Sequence, residues 1–187
     1  MADQIRDAPP RVFTIGHSTR SFGEVLEMLN TNGVTALVDV RSYPSSRKFP
    51  QWNQDAIQAA LPANIVYRWI RNLGGRRHTP AGTATVNNGW RVKAFRDYAD
   101  YMATEDFRAG LNELLSVVRE DQLVPAIMCS EAVPWRCHRR LITDALIVAG
   151  VDVHNIMSPS STKQAELTEF AEVDASTITY PAEGQQG

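Results

Sequence analysis

"RVFTIGHSTRSFGEVLEMLNTNGVTALVDV", residues 11–40, decides the fold. The apolar run Arg11–Gly16 ends in a glycine and reads as a buried strand. Ser21 then stands three residues before Glu24, the pair that makes a capping box, and Phe22, Val25, Leu26 and Leu29 recur at helical spacing. Asn32-Gly33 stops that helix, and Val34–Val40 is a second apolar run. A strand, a helix and a strand in this order predict a parallel pair joined by a crossover helix.

Working outward, the pattern repeats. After the loop "RSYPSSRKFPQWN" comes a short helix near Asp55–Leu61, then a third strand over Ile65–Ile70. Phe95, Tyr98, Ala99 and Met102 mark another helix. Thr104 can cap the next, whose inner face is Phe107, Leu111, Leu114, Leu115 and Val118. "LVPAIMC" is a fourth strand, a helix follows it to Gly150, and "VDVHNIM" supplies a last strand. The expectation is an α/β fold: a single domain, residues 11–157, with a mostly parallel sheet of about five strands flanked by helices. Residues 1–10 read as a flexible N-terminus, and 158–187, polar and acidic, as a mostly disordered tail.

With 43% hydrophobic and 21% charged residues the chain has the composition of a soluble globular protein, and no apolar run reaches the roughly 20 residues that span a bilayer. The opening "MADQIRDAPP" has no apolar export segment, and two cysteines make no disulfide scaffold, so a reducing cytoplasm is expected. The net charge of -2 hides an asymmetry. No acid falls between Asp55 and Asp97, where Arg68, Arg71, Arg76, Arg77, Arg91, Lys93 and Arg96 all lie; after Lys163 only acids remain. Such a basic middle suits an anionic ligand, or is a solvated loop balanced by the tail. The segment 71–90 has no period and four glycines, and is expected to be mobile without ligand and to carry the basic surface.

In open parallel sheets, ligands bind beyond the carboxyl ends of the strands. That rule selects His17, Ser18 and Thr19 after the first strand, Asp39, Arg41 and Ser42 at the second, Asn72, Gly74, Gly75, Arg76 and Arg77 after the third, and Cys129, Ser130 and Glu131 after the fourth. In "MCSEAVPWRCHRR", Pro134 suits the first turn of a helix that would carry Cys137, His138 and Arg139 near its positive end. A thiol so placed beside arginines is expected to be acidic and nucleophilic, Cys129 ahead of Cys137, which shares a helical face with Leu141 and Ala145. The plainer readings are that Cys137 is a buried apolar residue, His138 and His154 are structural, and Arg140 and Asp144 form a surface ion pair. A zinc site from Cys129, Cys137, His138 and His17 lacks the close ligand pairs usual for that metal, and a Cys129–Cys137 disulfide requires a Cα separation near 6 Å. No Walker, G-x-G-x-x-G or G-x-S-x-G motif is present, and no cofactor is identified.

"TIGHST", "VDVRSYPSS", "LGG", "FRDYADYM" and "MCSEAVPWRCHRRLITDAL" together resemble the bacterial and archaeal family called domain of unknown function 488, over residues 11–157. The resemblance implies an α/β fold and a shared polar set: His17, Ser18, Thr19, Asp39, Arg41, Pro44, Ser45, Cys129, Glu131, Cys137, His138 and Arg139. Ser130 departs from it, since similar sequences often carry alanine there.

The functional expectation is a small enzyme that binds a phosphate-bearing ligand, a nucleotide or nucleic acid. Cys129 or Cys137 is the reactive group, Asp39, Glu131 and His138 transfer protons, and His17, Ser18, Thr19, Arg41, Ser45, Arg76, Arg77 and Arg139 hold the ligand. Two other classes stay open. One is a non-catalytic nucleic-acid module stacking bases on Trp52, Tyr67, Trp69 and Trp90; the other is a thiol redox or metal protein. The sequence assigns no oligomeric state.

Overall fold

The computed structural model describes residues 8–184. Five α-helices flank a six-stranded sheet in one α/β domain. In chain order the elements are β1 (Arg11–Gly16), α1 (Phe22–Thr31), β2 (Ala36–Asp39), α2 (Gln54–Ala60), β3 (Val66–Trp69), α3 (Lys93–Tyr101), α4 (Glu105–Arg119), β4 (Pro125–Cys129), α5 (Arg139–Val148), β5 (Asp152–Ser158) and β6 (Ser161–Gln164), then the hairpin β7 (Glu172–Asp174) and β8 (Thr177–Thr179). Among the described residues no helix is long and apolar enough to cross a membrane.

The sheet order is β3-β2-β4-β1-β5-β6, parallel except for β6, which runs antiparallel to β5. Its helices form two layers because alternate strand residues face opposite sides. Phe13, Ile15, Leu37, Ala126 and Met128 pack against Val25, Met28 and Leu29 of α1 and Ile57 of α2. Val12, Ala36, Val38 and Ile127 pack against α3, α4 and α5 through Tyr98, Leu114, Leu141 and Leu146. Thus α1 leaves β1 over one face toward β2, and α5 leaves β4 over the other toward β5. Crossovers that depart on opposite faces leave a crevice at the strand tips between them.

The caps expected from the sequence are present. Ser21 Oγ accepts from the Glu24 amide, and Thr104 Oγ1 from the Phe107 amide. Pro134 opens a separate 3-10 turn (Pro134–Arg136) rather than α5 itself, and Cys137 follows it in extended backbone. The cysteine is therefore outside α5, and His138 occupies that helix's N-cap position.

The ordered chain runs well past residue 157. The expected disordered tail is a polar strap instead, of which 185–187 lie outside the described residues, as do residues 1–7 of the expected flexible N-terminus. Pairing of β6 with β5 holds its start, and Asp144 of α5 holds the rest. Fully buried, it accepts from the Thr168 amide (2.9 Å) and the Tyr180 hydroxyl (2.7 Å), so it is not half of a surface ion pair with Arg140. Tyr180 is 0% exposed, and its ring packs with Trp90 and Phe170. Its backbone also ties down the loop between β3 and α3: the Gly89 amide donates to the Tyr180 carbonyl and the Tyr180 amide to Asn87 Oδ1. That loop was expected to be mobile; in the fold it is fastened at both ends, by Arg76 N to Ser42 Oγ and by the strap.

Candidate functional site

Register brings the expected residues together. Gly16 pairs with Cys129 across β1 and β4, and Asp39 with Met128 across β2 and β4. Beyond the strands the chains stay zipped, with His17 N donating to Cys129 O (3.0 Å) and Ser18 N to Ser130 O (2.9 Å). Gly16 has no alternative here, because a Cβ would overlap the Glu131 carbonyl. Ser18 adopts a φ of 45°, a left-handed conformation unusual for a residue other than glycine, at the turn that aims the His17–Thr19 segment.

The result is a crevice of about 690 Å³ at the tips of β1, β2 and β4. Of the expected residues, His17, Ser18, Thr19, Arg41, Ser45, Arg76, Cys129, Glu131, Cys137 and His138 line it. Ser42, Gly75 and Ser130, also at the expected strand ends, line it too, and Arg136, Ser46, Tyr43, Phe49, Ala94 and Phe95 complete the wall. The aromatic members carried no readable signal, since they sit in aperiodic loops or, for Phe95, on a helix edge.

Three of the expected catalytic and ligand-binding residues lie elsewhere. Asp39 is 0% exposed and wholly engaged: Oδ1 accepts from Arg41 Nε (2.9 Å) and the Arg41 amide (3.1 Å), Oδ2 from Arg41 Nη2 (2.6 Å) and the Tyr67 hydroxyl (2.7 Å). It positions Arg41 and does not face the crevice as a proton-transfer group. Arg77 turns away from Arg76, lying over the Tyr101 ring at 3.8 Å and donating to the Gly74 and Arg71 carbonyls. Arg139 is beneath the floor, not on the wall.

Arg139 is the unusual residue. It is 1% exposed, and its donors go to Cys129 Sγ (Nε, 3.1 Å), Thr14 Oγ1 (Nη1, 3.2 Å) and the Glu131 carbonyl (Nη2, 2.6 Å). Among the described residues no carboxylate forms an ion pair with it. Burial, with Arg20 nearby, pulls its pKa down to about 9, still charged at neutral pH. Cys129 and Cys137 are paired sulfur to sulfur as a disulfide just above it, with Cα atoms 7.6 Å apart, wider than the roughly 6 Å usual for a bridged pair.

His138 and His17 have fixed tautomers. His138 Nε2 lies 2.8 Å from the Val40 carbonyl and must donate, so Nδ1, 3.4 Å from Cys137 Sγ, carries the lone pair. Gly75 packs against this ring, where a Cβ would overlap Nδ1. His17 stacks on Trp52 at 4.8 Å and points Nδ1 at the Ser18 carbonyl (3.1 Å), which leaves Nε2 as an acceptor, and Nε2 has no partner among the described residues. Among the described residues no group of three or more His, Cys, Asp or Glu side chains is placed to hold a metal ion. Nor do the aromatics form a stacking surface, since Trp52 and Trp90 are in the core.

Burial holds both histidines neutral, with pKa values lowered to about 4. An unfolded chain would titrate them near 6.5, so as pH falls from about 6.5 to about 4 the unfolded state takes up protons that the fold refuses. The stability owed to the neutral rings is complete above pH 6.5 and is lost toward pH 4, by up to about 3 kcal/mol for each ring. The urea midpoint should therefore drop steeply over this window, and His17→Asn with His138→Asn should flatten the slope. An unchanged slope in the double variant would mean that other groups control acid unfolding.

Fold and crevice define an α/β protein whose strand-tip pocket sets a sulfur pair over a buried arginine. The chain belongs to the family described as domain of unknown function DUF488, matched over residues 21–146. That span contains Arg41, Cys129, Cys137, His138 and Arg139, while His17–Thr19 lie just ahead of it. No curated protein and no solved structure matches the chain.

Proposed function

We propose that the protein is an enzyme that holds an anionic, phosphate-bearing ligand in this crevice and attacks it with the Cys129 thiolate. The observation that carries the reading is the contact between Arg139 and Cys129. A guanidinium buried with only neutral oxygen partners lacks a counter-charge, and a thiolate on Cys129 supplies one. Arg41, Arg76 and Arg136 on the wall outnumber the single carboxylate, Glu131, which favours an anion in the space between them. The hydroxyls of Ser18, Thr19 and Ser45 offer further donors, and His17 Nε2 offers an acceptor for a hydroxyl or amine on the same ligand.

Two alkylating agents of similar size test the reading on the reduced protein. A free thiol reacts faster with neutral iodoacetamide than with iodoacetate. Cys129 should reverse that order, inorganic phosphate should protect it, and Arg76→Glu with Arg136→Glu should restore the ordinary preference. The ordinary order in the unaltered protein, with no protection by phosphate, would remove the anion site.

A further inference from the structure

The two sulfurs have different side-chain neighbours, though the Arg139 amide also lies 3.5 Å from Cys137 Sγ. Cys129 Sγ faces a cation, Arg139 Nε at 3.1 Å, which favours the thiolate. Cys137 Sγ faces a neutral base, His138 Nδ1 at 3.4 Å, which suits a thiol that gives up its proton only when it reacts. Phosphoryl or acyl transfer to Cys129 has no use for a second thiol with its own base in contact with the first. A reaction that ends in a sulfur–sulfur bond does.

We propose, resting on the Cys129 thiolate reading above, that Cys129 and Cys137 are the attacking and resolving thiols of a reaction that reduces a hydroperoxide. The thiolate of Cys129 attacks the terminal oxygen of R–O–OH; an S–O bond forms, the O–O bond breaks, and the alkoxide leaves and takes a proton from solvent. Cys129 is then a sulfenic acid, oxidised by two electrons. Cys137 passes its proton to His138 Nδ1 and attacks the Cys129 sulfur. The S–S bond forms, the S–O bond breaks, and the departing hydroxide takes the proton from His138 as water. A small or protein dithiol, by two exchange steps, returns the pair to the reduced state.

Energetics select a hydroperoxide over a disulfide as the oxidant. Closing the bridge removes the thiolate from Arg139 and leaves that guanidinium buried without a counter-charge, so the oxidised pair is disfavoured relative to the dithiol. Exchange with another disulfide starts near balance and has little free energy with which to drive that step. Cleavage of an O–O bond is strongly favourable and does. The arginines that line the crevice would stabilise the alkoxide as it departs, and they favour hydroperoxides that are themselves anionic.

The test uses the full chain, reduced, mixed with one equivalent of hydrogen peroxide and quenched at intervals with dimedone or an alkylating agent before peptide mass analysis. The unaltered protein should consume peroxide at least about a hundredfold faster than free cysteine and proceed to a Cys129–Cys137 bridge without accumulating a dimedone adduct. Cys137→Ser should stop at a Cys129 sulfenic acid that dimedone traps. If the unaltered protein accumulates that adduct and forms no bridge, Cys137 does not resolve, and the proposal falls while the thiolate site stands. A bridge closed by oxidised glutathione but not by peroxide overturns it in favour of thiol exchange. A Cys129 that reacts no faster than free cysteine with peroxide and with iodoacetate removes both readings. The arms that use the unaltered chain do not depend on any variant folding.

Discussion

Arg139→Met should slow alkylation of Cys129 by roughly a hundredfold at about pH 6 and leave the protein folded. The slowing follows from losing the only cation that donates to Cys129 Sγ among the described residues, since each tenfold loss of thiolate corresponds to about 1.4 kcal/mol of lost preference for the charged sulfur. The retained fold follows from a separate argument. Arg139 is buried without a carboxylate and the Cys129 sulfur is its one acceptor able to carry charge, so much of the cost of desolvating a guanidinium is left uncompensated, and an apolar chain of similar length removes that cost. Stability and reactivity should thus move independently: urea unfolding near the original midpoint, iodoacetate reaction far slower. Arg139→Lys is the informative companion, because it keeps a charge but cannot span Cys129, Thr14 and Glu131 with one planar group. If Arg139→Met reacts at the original rate, the thiolate is stabilised elsewhere and the guanidinium is only structural.

Much of this arrangement could be read from the chain, for a definite reason. Apolar runs locate strands, and in a parallel sheet the residue after each run is already committed to one edge. His17, Arg41 and Cys129 were legible on that ground without any knowledge of strand order. What stayed hidden depends on direction or on distant partners. Arg76 and Arg77 are neighbours in a basic loop, yet one lines the crevice and the other stacks on Tyr101, a choice made by Tyr101 on α3 and the Gly74 and Arg71 carbonyls. The strap after residue 158 is polar and aperiodic, and it is held by distant partners: β6 pairs with β5, and beyond it the buried carboxylate Asp144, which sequence spacing assigns more simply to Arg140, takes Thr168 and Tyr180. Pro134 shows how a correct local rule can place an element slightly off: it does start a turn, but a 3-10 turn that ends before α5 begins and so presents Cys137 in extended backbone.

Asp39→Ala should lower stability by about 3–5 kcal/mol and weaken anion binding with it. Asp39 was legible as a polar residue at a strand tip, and its sequence position could not distinguish a proton-transfer group from a support. Four hydrogen bonds make it the latter. Its removal leaves Arg41, itself only 8% exposed, as a buried cation whose remaining acceptor among the described residues is the Trp52 carbonyl, and strips the Tyr67 hydroxyl of its partner. Burial, then the Asp39 charge, holds the Tyr67 phenol well above its ordinary range, so Asp39→Asn should let it ionise at lower pH, visible in ultraviolet absorbance. The decisive comparison is Asp39→Ala with Arg41→Met. If the loss in the single variant comes from an uncompensated buried charge, the double variant should recover most of the stability and none of the anion binding, because the cation proposed to bind the ligand and the cation that lacked a partner are the same residue. A single variant that loses less than about 1 kcal/mol, or a double variant less stable than the single, would show that the pair is not what positions Arg41 at the crevice.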